Sequence, residues 1–524
     1  MMTRTNPRSA EPSSITRRGW IRSGGPLVVC LAAIAAPAPL HAQGEQQAVV
    51  LTLERMVELG LKDSYRVKQL QLDIERTRSL LRAEQAGLKS RVELEIAAPE
   101  FESISDYKWN STLQKNELIY ENTRRWQLDL SIRQPVILFG FPTNGNLSLN
   151  NRVYRYSQIG DERDVRFYNR YFVGYQQPLF QPNEMKNDLE EARLDLERSE
   201  LEYQGDVVEM VNDLAEDYFE LLEVAYQRVI AASRIANLEK ASAAARERVA
   251  ADSSRGIELD RLQVEVANAR EDGQQAASSF RLRASQIKQR LRLSAADTVT
   301  VDPVLRVVAV DIDRERAVQL ATTIAPRLRE LAIDRREGEI ELDQTRGNDS
   351  FRLDLEVTYG REMQDPRFGN LWTEPRNSYT VNVSGSIPLW DWGERKHRIR
   401  AGRFALERTD LATEEARSSI ETNVANQVAN LEEYEQRALN MQANLDLARQ
   451  ITGTTLDRYR SGEVALVDVL QTIERESDTA GNFLEAYLGF ENALLELQQL
   501  TYYDFQRNIP LLERFRIEPY VPSR

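Results

Sequence analysis

Phe351-Arg352-Leu353-Asp354-Leu355-Glu356-Val357-Thr358-Tyr359 places an apolar residue at every odd position and a polar or charged one at every even position. A side-chain period of two puts the odd residues on one face of a β-strand and leaves the other face wet. Tyr379, Val381, Val383, Gly385 and Ile387 repeat the pattern against Thr380, Asn382, Ser384 and Ser386. Trp126, Leu128, Leu130 and Ile132 do so against Gln127, Asp129, Ser131 and Arg133. Runs of about 9–11 residues suit a tilted strand that crosses a bilayer. A soluble sheet packed on one face is the other reading of the same pattern.

Each set of strands gives way to sequence of another kind. Gly393 to Gly462 contains no proline and only Gly402 and Gly453 between its ends. The chain beyond Pro182 is likewise proline-free as far as Gly256, with Gly205 the only glycine inside. About 70 helical residues reach roughly 100 Å, a length no compact domain needs. Ala, Glu, Gln, Arg and Leu support helix throughout, but a solvated single helix of that length is unstable without a partner. Leu431, Tyr434, Leu439, Leu445, Leu447 and Ile451 are spaced as a narrow coiled-coil stripe.

The order helix, strands, long helical hairpin occurs twice. Residues 54–96 align without gaps to 315–357: Glu54-Arg55 with Glu315-Arg316, Arg66 with Arg327, Leu70 with Leu331, Arg91 with Arg352. Thr52 and Asp313 each offer a side-chain oxygen to the first free amides of a helix. The sequence therefore predicts a tandem duplication: a first repeat over 43–300, a linker over 301–312, a second repeat over 313–502 and a tail over 503–524. Between the first repeat's strands lies an insertion, about 100–165, with a second strand-like run from Leu147 to Tyr156. We read it as an extracellular hairpin; six barrel strands per chain is the alternative.

Composition removes several classes of function. The 524 residues carry a net charge of −14, with one Cys and two His, which excludes zinc fingers, Cys/His nucleophilic pairs and disulfide scaffolds. An acidic chain does not neutralise nucleic-acid phosphates in bulk. Residues 1–42 read as an export signal: Arg4, Arg8, Arg17, Arg18 and Arg22 precede an apolar stretch from Leu27 to Ala36 and a peptidase site at Leu40-His41-Ala42. Thr16-Arg17-Arg18 leaves Sec and twin-arginine export both open. An exported chain without long apolar helices crosses a membrane only as a closed barrel. Trp109, Trp126, Tyr154, Tyr168, Trp372 and Trp390 cluster near the strands as interfacial girdles do. Four core strands cannot close a barrel, whose small end is about eight strands, whereas three chains would supply about twelve.

With Tyr459-Arg460-Ser461-Gly462-Glu463-Val464-Ala465-Leu466-Val467-Asp468-Val469-Leu470, and the turns Ile387-Pro388-Leu389-Trp390-Asp391-Trp392-Gly393 and Pro178-Leu179-Phe180, the chain resembles the outer-membrane efflux proteins, the TolC-like exit ducts, over about 50–503. The resemblance implies long coiled-coil helical hairpins plus a membrane β-barrel contribution, assembled as a trimeric α-barrel/β-barrel channel. It implies no catalytic residue, metal or cofactor. The implied partners are two further copies of the chain, a periplasmic adaptor, an inner-membrane pump and outer-membrane lipid, with no nucleic acid. By motif position Asp468 is the carboxylate of a periplasmic gate and Tyr459 the tyrosine that holds it shut. Gln471 stands where the family can place a second acid, and Val464 where it can place an arginine partner for the tyrosine. Gly256, Asp260 and Gly462 mark the two adaptor-docking hairpin tips. A periplasmic coiled-coil adaptor or scaffold is the alternative function; it would share the hairpins but not the strands.

Overall fold

A computed structural model describes residues 48–62, 64–158, 165–251, 256–294, 296–348 and 350–515. The expected export signal, and Ser254 and Arg255 of the first tip, lie outside the described residues.

The first repeat opens with β1 (Ala48–Leu51), α1 (Leu53–Lys62) and α2 (Tyr65–Gly87). Four strands come next, β2 (Arg91–Asn110), β3 (Lys115–Leu138), β4 (Phe141–Gln158) and β5 (Val165–Leu179), then α3 (Glu184–Ala251) and α4 (Gly256–Arg290). After β6 (Thr298–Val301), the second repeat runs α5 (Arg314–Ile324), α6 (Pro326–Asn348), β7 (Arg352–Asp365), β8 (Arg376–Ser386), α7 (Glu394–Ser461) and α8 (Leu466–Thr501). The internal likeness extends to the caps: Thr52 Oγ1 accepts from the Arg55 amide at 3.2 Å, and Asp313 Oδ1 from the Glu315 amide at 3.0 Å. Each leading helix is broken at the matching place, before α2 at Ser64 and before α6 at Ala325.

The two long helices are each 68 residues, and α7 lies just inside the Gly393 and Gly462 that the sequence marks as its ends. Both glycines adopt the left-handed conformation, φ 85° and 86°, which an L side chain enters only at a cost. Along α7, Leu431, Ala438, Leu445, Thr452 and Tyr459 are buried at steps of seven. On α8, Val469, Ile473, Glu476, Ala480, Phe483 and Tyr487 are buried at alternating steps of four and three. That is the seam of a left-handed coiled coil. The expected stripe is only half right, because Leu439, Leu447 and Ile451 stay exposed while Leu431 and Leu445 are buried.

The strand count differs from expectation. β2-β3-β4-β5-β7-β8 form one antiparallel sheet of six strands in that order. The inserted segment is not set apart from four core strands; β3 and β4 stand between β2 and β5. Alternation identifies a strand, but its neighbours are fixed by hydrogen bonds that the pattern does not carry. Beyond α8 the tail turns back as β9 (Tyr503–Asp504), β10 (Ile509–Pro510) and α9 (Leu511–Arg514). Arg514 there pairs with the buried Asp504 at 3.1 Å and with Glu54 at 3.3 Å. Among the described residues no helix is long and apolar enough to cross a membrane.

Candidate functional site

The site is the far end of the helices, where the α3–α4 and α7–α8 tips meet. α7 stops because Gly462 takes the left-handed conformation: its amide donates to the Tyr459 carbonyl at 3.0 Å, and the Glu463 amide donates to the Arg458 carbonyl at 2.9 Å. This is a Schellman closure. Ser461 Oγ and Glu463 tighten the turn, with Arg458 Nε 3.3 Å from Glu463 Oε2. Gly256 opens α4 without a left-handed φ, and a Cβ there would meet nothing within 4 Å.

Leu238, Ala241, Leu262, Val266, Leu466 and Val469 from the two hairpins make one small core, and Tyr459 lies in its middle without exposure to water. A buried phenol needs a partner for its hydroxyl. Tyr459 Oη donates to Glu258 Oε2 at 2.9 Å. The Arg248 guanidinium stands 4.5 Å over the ring and donates to the Tyr459 carbonyl at 3.2 Å, and it reaches Glu258 at 4.0 Å. Burial, and then the Glu258 carboxylate, push the Tyr459 phenol up to about 12, so the hydroxyl keeps its proton at physiological pH. One residue on, Arg460 grips Glu247 with two bonds of 3.0 Å. Both ties join α7 to the first hairpin.

Asp468 and Gln471 are exposed and three residues apart on α8, hence on one face. Asp468 also serves its own helix, since Oδ2 accepts from the Ala465 amide at 3.2 Å and its charge sits at the positive helix end. Asp260 is exposed on α4. Val464, the position of the implied arginine, packs beside the tip core; the arginine that reaches the tyrosine is Arg248. Sequence reading missed Arg248, Glu258, Glu247 and Arg460, because partners some 200 residues apart leave no local spacing. Among the described residues no cluster of three or more His, Cys, Asp or Glu could hold a metal ion.

Comparison with known proteins agrees with this architecture. Residues 317–501 match the family model "Outer membrane efflux protein". No curated protein sequence matches the chain. The fold is shared with the CmeC outer membrane channel of Campylobacter jejuni, at 13% identity over 91% of this chain and 94% of that one, TM-score 0.57. It is shared with the open-state MtrE outer membrane channel of Neisseria gonorrhoeae, at 13% identity over 87% and 90%, TM-score 0.58. The outer membrane protein VceC of Vibrio cholerae matches at 11% identity over 88% and 95%, TM-score 0.58. The chain shares the fold of these channels, long helical hairpins joined to an antiparallel sheet.

Proposed function

We propose that this chain, which carries an outer membrane efflux protein domain on a duplicated hairpin-and-strand fold, is the exit duct of a tripartite efflux pump or type I secretion system. It is a transport channel and not an enzyme. It lies in the outer membrane and extends through the periplasm, working as a homotrimer that docks a periplasmic adaptor and through it an inner-membrane pump. The observation that carries the reading is the junction of two kinds of element. A sheet with an exposed apolar face and two free edges continues, through turns only a few residues long, into helices of 68 residues. An open apolar sheet is tolerable only where further strands close it and lipid covers it. A periplasmic adaptor or scaffold has no use for such a sheet.

At the far end the tips act as the gate. Asp468, repeated three times around the axis, presents a ring of carboxylates with Gln471 three residues further along α8, and the low-dielectric wall focuses their field on passing cations. The Tyr459–Glu258 and Arg460–Glu247 ties hold the second hairpin against the first, so opening requires that they break. Gly462 shapes the turn that the adaptor grips, with Gly256 and Asp260 on the neighbouring tip. The test is conductance across planar bilayers with the purified protein. A low-conductance channel that opens when the ties are removed supports the reading; a protein recovered from the soluble fraction that never inserts contradicts it.

A further inference from the structure

The six-stranded sheet carries information about the wall itself. Paired residues in adjacent strands point to the same side, so a row can be followed across the sheet. One row runs Val92, Ile132, Leu149, Val173, Tyr359, Tyr379, one residue from each strand. All six are apolar or aromatic, and all but the half-buried Ile132 are exposed. A row on the opposite face runs Glu95, Asp129, Arg152, Arg170, Glu362, Arg376. All six are charged, and Arg152 Nε meets Asp129 Oδ1 at 2.7 Å. Apolar and charged bands therefore pass through β3 and β4 at the same height as through β5, β7 and β8. A hairpin standing clear of the membrane has no reason to continue a lipid-facing band.

The turn of this hairpin supplies a second observation. β3 and β4 meet at Phe139-Gly140, with Phe139 almost wholly exposed and Leu138 and Phe141 exposed beside it. The turn lies at the helix end of the sheet: Asn183 Nδ2 donates to the Pro142 carbonyl at 2.5 Å, and Asn144 Nδ2 to the Pro182 carbonyl at 3.2 Å. Pro182 and Asn183 lead directly into α3, and the corresponding turn into α7 exposes Trp390 and Trp392. Exposed aromatic side chains at one level, at the boundary of an apolar band, are what a membrane–water interface selects.

The free edges identify the occupant. β2 leaves the helix end and β8 returns to it, so β8 of one copy beside β2 of another continues the antiparallel order. On its polar face β2 carries Glu93 and Glu95, while β8 carries Arg376 with hydroxyl and amide side chains. Over its 11 residues β8 has no proline and no register shift, two of the devices that block pairing.

We propose that the β3–β4 hairpin is part of the membrane wall, and that three copies close an 18-stranded barrel, β8 of each against β2 of the next. Bore grows roughly linearly with strand number, so this wall is about 1.5 times as wide as a 12-stranded one. The inference rests on the trimeric outer-membrane reading above. It is tested with single spin labels on Leu130→Cys, in the hairpin, and Val381→Cys, in β8, in the full-length protein reconstituted into phosphatidylglycerol and phosphatidylethanolamine vesicles. Collision with oxygen reports lipid and collision with a nickel chelate reports water. Oxygen-dominated collision at both labels, with nickel dominating at Ser131→Cys one residue away, is the expected result. A water-exposed Leu130 label with a lipid-exposed Val381 label overturns the 18-stranded wall and leaves the channel reading intact. Water exposure at both labels overturns the membrane reading itself.

Discussion

Tyr459 is shut away from water only two residues before the end of α7, where a helix tip would ordinarily be wet. Its hydroxyl joins the two hairpins, so Tyr459→Phe removes one hydrogen bond, about 0.5–1.5 kcal/mol, and leaves the ring packed. Closed-state conductance is expected to rise in Tyr459→Phe and in Glu258→Ala, with no further rise in the double variant; additive increases would mean that the two residues act separately. Because the folded chain favours the neutral phenol, that contribution is complete below the ordinary value of 10 and fades as pH climbs through about 12. Closed-state conductance should therefore not rise through phenol ionisation between about pH 7 and 9; an increase in wild type that Tyr459→Phe abolishes would contradict the assignment. The two tip glycines are expected to differ. Gly462→Val forces a left-handed β-branched residue, a strain of at least about 1–2 kcal/mol, and should abolish export while the trimer persists. Gly256→Ala enters open space with ordinary φ and should export normally. Export rates of the two variants in cells decide this. Asp468→Ala should remove block by trivalent cations from the periplasmic side; block that survives would place the gate elsewhere.

Among elements, the long helices were the most legible in sequence, because glycine and proline mark their ends and nothing inside breaks them. Their seam was less so. The chain has more apolar positions on α7 than one interface uses: Leu439, Leu447 and Ile451 stay exposed, while Thr452 and Tyr459 complete the seam within the chain. The sheet was legible as strands but not as an order of strands, since alternation marks a strand without naming its neighbours. Of the proposed gate, motif position singled out Tyr459, Asp468 and Gly462, but not Arg248 and Glu258, whose contacts with Tyr459 are set by packing between distant hairpins. Glu476 interrupts the α8 seam and accepts from Ser233 Oγ at 3.3 Å and Asn237 Nδ2 at 3.2 Å. Glu476→Ala strands those donors and should lower stability by about 1–3 kcal/mol, whereas Glu476→Gln should lose less; thermal unfolding in detergent measures both. Closer to the sheet, the Arg336 and Arg329 guanidiniums hold Glu190 and Glu197 below the usual carboxylate range. These α3–α6 ties act above the ordinary carboxylate pKa and are lost as pH falls through the lowered values. Both pairs are largely solvated, so the effect on stability is small.

For the whole molecule, one duplicated plan serves two media. In the proposed channel the strands turn their exposed apolar face to lipid, and the helices bury a narrow seam because water covers the rest. Neither part is complete in one chain: the sheet has two unpaired edges, and α7 keeps an apolar flank without a partner. Both deficits would be met by the trimer proposed above, in which two more copies stand around an axis. The most direct test is light scattering, with detergent mass subtracted, on protein extracted from outer membranes. Three chains per particle, and loss of solubility when detergent is withdrawn, are the expected result. A monodisperse single chain that stays soluble without detergent would contradict it.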